Sequence, residues 1–157
     1  MRSKKFTIIV IAIMAFIFFQ SALPADLSKE ESGKIVSFIV RLFQGVLPID
    51  REKLVFIVRK GAHFTEYTIL GFFLVPAVKE WMSADQAQMP DIAGRIHLIS
   101  WLTGTLYAVT DEIHQYFVPG RSCELRDMGI DSCGVLAGVL IAGLAMRLKE
   151  RRTSDVN

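Results

Sequence analysis

Residues 54–78 read LVFIVRKGAHFTEYTILGFFLVPAV. A membrane-spanning helix needs about 20 predominantly apolar residues. This stretch has the length, and its second half, Thr68 to Val78, is nearly all apolar, yet Arg59, Lys60, His63 and Glu66 stand in its first half. A charge near the bilayer centre costs about 2.5 to 3.5 kcal/mol on insertion scales, so such side chains must face partners or water rather than lipid. The stretch therefore predicts a helix of a membrane bundle whose interior is polar toward one end.

Working outward, three further apolar stretches complete the set. Phe6 to Leu23 follows Arg2, Lys4 and Lys5 and is interrupted near its end by Gln20 and Ser21. Its length and the lack of a small-x-small cleavage site predict a retained span rather than a signal peptide. Ile96 to Val118 is apolar at its start and polar at its end through Asp111, Glu112, His114 and Gln115, before the turn Pro119-Gly120-Arg121. Met128 to Leu148 follows Asp127, contains Asp131 and the run from Gly134 to Gly138, and leads to Lys149, Arg151 and Arg152. Between the first two spans, Ser28-x-x-Glu31 has the form of a capping box. Ile35, Ile39, Leu42, Phe43 and Val46 then recur at helical spacing, so residues 28–46 predict an amphipathic helix lying in the membrane interface. Lys79 to Arg95 reads as a polar connection.

The expected fold class is thus all-α: an integral membrane four-helix bundle, a single domain over residues 1–157, with spans at about 6–23, 54–78, 96–118 and 128–148. Bulk composition agrees, with 52% hydrophobic residues and a mean hydropathy of +0.38, while the net charge of +2 says little; no nucleic-acid partner is expected. Cys123 and Cys133, on what reads as largely one helix, are about 15 Å apart at 1.5 Å per residue, so no disulfide is expected. Lys and Arg are evenly divided between the two faces. Weight on the residues flanking the first span and on the C-terminal tail predicts that both termini are cytoplasmic.

Antiparallel spans bring the start of the second, the end of the third and the start of the fourth to one face. Arg59 lies roughly 8 Å and Glu66 roughly 18 Å below Leu54, and Asp111 roughly 10 Å inside Val118, so their depths overlap. Arg59, His63, Glu66 and Leu70 share one helical stripe, Asp111 and Gln115 a second, and Asp127, Asp131, Gly134 and Gly138 a third. A shared polar pocket follows. Guanidinium forks at Arg59 and Arg121 suit a phosphate or carboxylate, with Gln115, Asp127 and Asp131 as further ligand contacts. His63 and Glu66 form a candidate proton-handling pair, and with Asp111 and Glu112 they are the candidate catalytic groups. Lys60 reads equally well as snorkelling to headgroups, Arg126 as a headgroup anchor, and Gly134 and Gly138 as close-packing positions. His63, Glu66, Asp111, Glu112 and His114 supply oxygen and imidazole ligands of the kind that hold a divalent metal, but without recognisable metal spacing no metal ligand is assigned and no cofactor is expected.

Three motifs carry a family resemblance: Arg59-Lys-Gly-Ala-His63-Phe-Thr-Glu66-Tyr67, Asp111-Glu112-x-x-Gln115-x-Phe-x-Pro-Gly-Arg121 and Asp127-x-x-x-Asp131-x-x-Gly134. Together with Phe18-Phe19-Gln20-Ser21 and the segment from Pro24 to Ser28, they resemble the VanZ-like family over nearly the whole chain. Gln20-Ser21 reverses the usual serine-glutamine order, and Asp131 stands where many members have Asn. The resemblance implies a multi-pass protein of the bacterial cytoplasmic membrane and, through the founding member, a link to resistance against the glycopeptide teicoplanin.

The expected function is to bind, or modify, an anionic membrane lipid or lipid-linked cell-wall precursor in a pocket open to the extracytoplasmic face. Two alternatives stand beside it. One is an intramembrane hydrolase or transferase, His/Glu-assisted or metal-assisted, acting on lipid headgroups; the other is a non-catalytic interaction subunit whose charges lock the helices together. Enzyme against binder stays open, as does the oligomeric state.

Overall fold

The computed structural model describes residues 4–42, 50–82 and 91–154. Five helices account for nearly all of them: α1 Lys5–Ser21, α2 Ala25–Leu42, α3 Arg51–Trp81, α4 Ile92–Tyr116 and α5 Leu125–Ser154. Among the described residues there is no strand, as the all-α expectation requires.

Local signals explain most boundaries. The apolar run of α1 holds no Gly or Pro, and its first turn, which has no acidic residue of its own, is capped from α3. The Glu80 carboxylate accepts the N–H groups of Phe6 at 3.2 Å and Thr7 at 3.1 Å. Asp50 caps α3 by accepting the Glu52 N–H at 3.2 Å. α4 stops at Tyr116 rather than at Val118, because Pro119 disfavours helix in the residue before it. Gly120 then takes φ +76° to turn the chain, a conformation open to glycine at little cost.

Two expected boundaries move. The amphipathic helix begins at Ala25, three residues before the capping box, because Pro24 lacks an N–H to leave unsatisfied and has φ preset for a first turn. Ser28 consequently donates its own N–H to the Pro24 carbonyl instead of capping. Likewise α3 runs on to Trp81 and α4 starts at Ile92, which shortens the polar connection. Phe43, Val46 and Pro48, and the connection from Ser83 to Pro90, lie outside the described residues. Cys123 precedes α5 and Cys133 lies within it; both are free and exposed.

α3 is the central element, touching each of the other helices and lying most extensively against α5. Small residues allow that approach. A Cβ added at Gly138 would collide with the backbone of Thr68 and Phe72, one at Gly134 would lie 2.7 Å from the Phe64 carbonyl oxygen, and one at Gly71 would strike Val135. Around this seam Ile17, Tyr67, Leu70, Val75, Ala108, Val135 and Val139 are buried. Outside it the helices display large apolar side chains, among them Ile8, Phe19, Leu106, Leu140 and Leu144.

Among the described residues one helix, α5, is by itself long and apolar enough to cross a membrane. α3 and α4 each join an apolar half to a half bearing ionisable side chains, and α1 meets α2 at 106°. Four separate spans are thus not evident from length and composition of the helices taken singly.

Candidate functional site

The first half of α3, the end of α4, the turn through Gly120 and the start of α5 meet at one end of the bundle. They enclose a cavity of about 240 Å³. Seven of the residues singled out in the sequence line it: Arg59, His63, Glu112, Gln115, Arg121, Asp127 and Asp131. The wall also includes Lys60 and Glu124. Asp111 and Glu66 are not on it.

Asp111 lies behind the wall at 2% exposure. Its Oδ2 accepts the hydroxyls of Ser21 at 2.7 Å and Tyr67 at 3.1 Å, and the Gln115 amide N–H at 3.1 Å. Three donors on one oxygen suit an acceptor-only carboxylate buried away from water. The same carboxylate settles which way Gln115 faces. Its Nε2 points at Asp111, leaving Oε1 to accept Arg121 Nη1 at 2.9 Å. A flipped amide would set carbonyl against carboxylate and NH2 against guanidinium. Hydrogen bonds from α1 and α3 thus converge on Asp111 and continue along α4 through Gln115 to a cation on the cavity wall.

The turn brings that cation into place. The Val118 N–H donates to the Gln115 carbonyl at 2.9 Å and the Arg121 N–H to the Val118 carbonyl at 3.1 Å, which folds Arg121 back over the end of α4. The turn is fastened to the start of α2 by the Ala25 N–H, which donates to Pro119 at 3.3 Å. Glu112, 1% exposed, accepts the Glu124 N–H at 2.8 Å and so anchors the residues that begin α5. Lys60 pairs with Asp127, linking α3 to α5 across the cavity, and Arg126 lies outside, paired with Glu124 at 2.8 Å.

The two guanidinium groups remain. Arg121 carries a buried Nε with no hydrogen-bond partner, and among the described residues neither arginine forms an ion pair with a carboxylate. Burial, and then the neighbouring Arg59 guanidinium, push the Arg121 pKa below its ordinary value. Two like charges with spare donors therefore share one wall. His63 adds a buried Nδ1 that likewise has no partner. Neither His63 nor Glu66 shows a hydrogen bond to the other, and Glu66 is half-buried off the cavity. Among the described residues no three His, Cys, Asp or Glu side chains are grouped to hold a metal ion.

Ser21, Tyr67 and Glu124 belong to the site without being among its sequence candidates, and Lys60, open between site and headgroups, lies on the wall. Ser21 had a signal as one of the few polar residues in the first apolar stretch. Tyr67 had one in register: Lys60, His63, Tyr67, Leu70 and Leu74 are spaced three, four, three and four, the alternation of a buried seam.

A family model described as VanZ/LLP1 matches residues 6–146. No curated protein and no solved structure matches the chain.

Proposed function

From the premise that the chain belongs to the VanZ/LLP1 family, we propose that it is a single-domain, multi-pass protein of the bacterial cytoplasmic membrane. In this reading it binds an anionic lipid headgroup, or that of a lipid-linked cell-wall precursor, in the cavity between Arg59 and Arg121. The observation that carries the ligand class is the arginine pair, two guanidinium groups on one wall that, among the described residues, form no ion pair with the carboxylates around them. A bound phosphate or carboxylate would offset their repulsion and take up the free Nε–H. The volume of about 240 Å³ falls below the roughly 300–1,000 Å³ of pockets that enclose whole drug-sized ligands, so a headgroup enters while its tails stay in the bilayer.

The membrane reading rests on the apolar exterior and on length. From Lys60 to Lys79 along α3, and from Asp127 to Arg147 along α5, the rise is about 30 Å, the thickness of a bilayer's hydrocarbon core. Basic residues at the start of α1 and the end of α5 favour cytoplasmic termini and an extracytoplasmic cavity. An outward cavity for lipid-linked precursors would fit a contribution to teicoplanin resistance.

Lipids that co-purify with wild type and with Arg59→Gln/Arg121→Gln, identified by mass spectrometry, test the ligand class. An anionic species depleted in the variant is the expected result, and identical lipid profiles would overturn the reading. His63, with its unpartnered Nδ1 on the same wall, supports a second reading as a headgroup hydrolase or transferase. Phosphate or headgroup release that disappears in His63→Ala would favour it.

A further inference from the structure

A second cavity, of about 340 Å³, lies at the other end of the bundle between the end of α3, the start of α4 and the last turns of α5. Val75, Ile92, Ile96 and Met146 make its walls mostly apolar. Lys79 and Arg147 stand at its rim, where among the described residues neither forms an ion pair with a carboxylate, although Glu150 lies on the same rim. His97 closes the side toward α5, packed where a Cβ on Gly143 would come within 2.7 Å of its ring.

We propose that this cavity is a separate phospholipid site, with one acyl chain between α3, α4 and α5 and the phosphate held by Lys79 and Arg147. The inference rests on the chain spanning a membrane but not on the arginine site. Three observations support it. The walls are apolar, as an acyl chain requires and a soluble anion does not. The rim has a net excess of one cation over Glu150, the sign complementary to a phosphodiester. Both cations lie about 30 Å of helix rise from Lys60 and Asp127, which places them at the headgroup depth of the opposite leaflet. A lipid lodged there would brace the three helix ends nearest the termini.

The test uses the full chain in phosphatidylcholine vesicles containing phosphatidylglycerol with a photoreactive group in one acyl chain, and locates the labelled residues by mass spectrometry. Labels are expected on Val75, Ile96 and Met146 at low phosphatidylglycerol fractions. Lys79→Gln/Arg147→Gln should shift the half-labelling fraction upward roughly 10- to 30-fold, the loss expected for two basic side chains at a membrane surface. Ala93→Phe, which fills the cavity and leaves both charges, should abolish labelling there. Labels spread evenly over the outer apolar faces, or unchanged in both variants, would overturn the proposal. Labels confined to His63 and Ile130 would overturn it in favour of the other cavity, and no labelling of any helix would overturn the membrane reading itself.

Discussion

Gly138→Ala separates intrinsic helix propensity from tertiary packing, because the two predict opposite signs. In the middle of a helix, alanine is favoured over glycine by about 0.8 to 1.0 kcal/mol. At Gly138, however, the added Cβ meets the Thr68 carbonyl oxygen and the Phe72 nitrogen, both backbone atoms that cannot rotate away. α3 and α5 must move apart along their most extensive contact. Overpacking typically costs 1 to 3 kcal/mol. A backbone collision on two sides belongs at the upper end, so about 3 less about 1 leaves a net loss of about 2 kcal/mol. For a chain of this size that lowers Tm by about 4 to 8 °C. Gly61→Ala is the matched control: it is also inside a helix, with nothing within 4 Å of its added Cβ, so propensity alone should raise Tm by about 2 to 4 °C. Helical melting of the purified protein in a single detergent reads both. A Gly138→Ala variant as stable as wild type, alongside a stabilised Gly61→Ala, would refute the close α3–α5 seam.

Three other outcomes follow from the same geometry. Ser21→Ala removes a 2.7 Å hydrogen bond to the buried Asp111 carboxylate and should cost about 1.5 to 3 kcal/mol in the same melting assay; an unchanged Tm would remove α1 from the network. Lys60→Met strands Asp127, whose side chain is 15% exposed, so the cost should fall below the roughly 3 to 5 kcal/mol of a fully buried pair. Adding Asp127→Asn should recover part of the loss, and failure of that rescue would mean the pairing contributes nothing. In intact cells of a Cys133→Ala background, exposed Cys123 should react with a membrane-impermeant thiol reagent, while Thr153→Cys in a Cys123→Ala/Cys133→Ala background should not. The opposite pattern reverses the orientation.

The sequence by itself determined the helical class, the four long apolar stretches, the family and the set of residues at one end. All of these follow from local quantities: apolar run length, helical spacing, turn residues and motif identity. On the reading that these stretches cross a membrane, the cost of unpaired charge in hydrocarbon makes ionisable residues at matching depth converge, which is why Arg59, His63, Glu112, Gln115, Arg121, Asp127 and Asp131 could be grouped before any coordinates. What only the tertiary structure decided is rotation about each helix axis. The stripes through Glu66 and through Tyr67 share His63 and Leu70 and differ in Arg59 against Lys60 and Glu66 against Tyr67, each a shift of one residue, so sequence spacing accommodates both. Contact with α5 chooses between them, since a Cβ at Gly134 would be 3.2 Å from the Tyr67 Cβ. That approach directs Tyr67 inward to Asp111 and leaves Glu66 off the cavity. Long-range pairing was equally illegible: Ser21 reaches Asp111 across 90 residues, and Glu80 caps α1 across 74. No local pattern encodes such partners, because they depend on which helix ends the packing brings together.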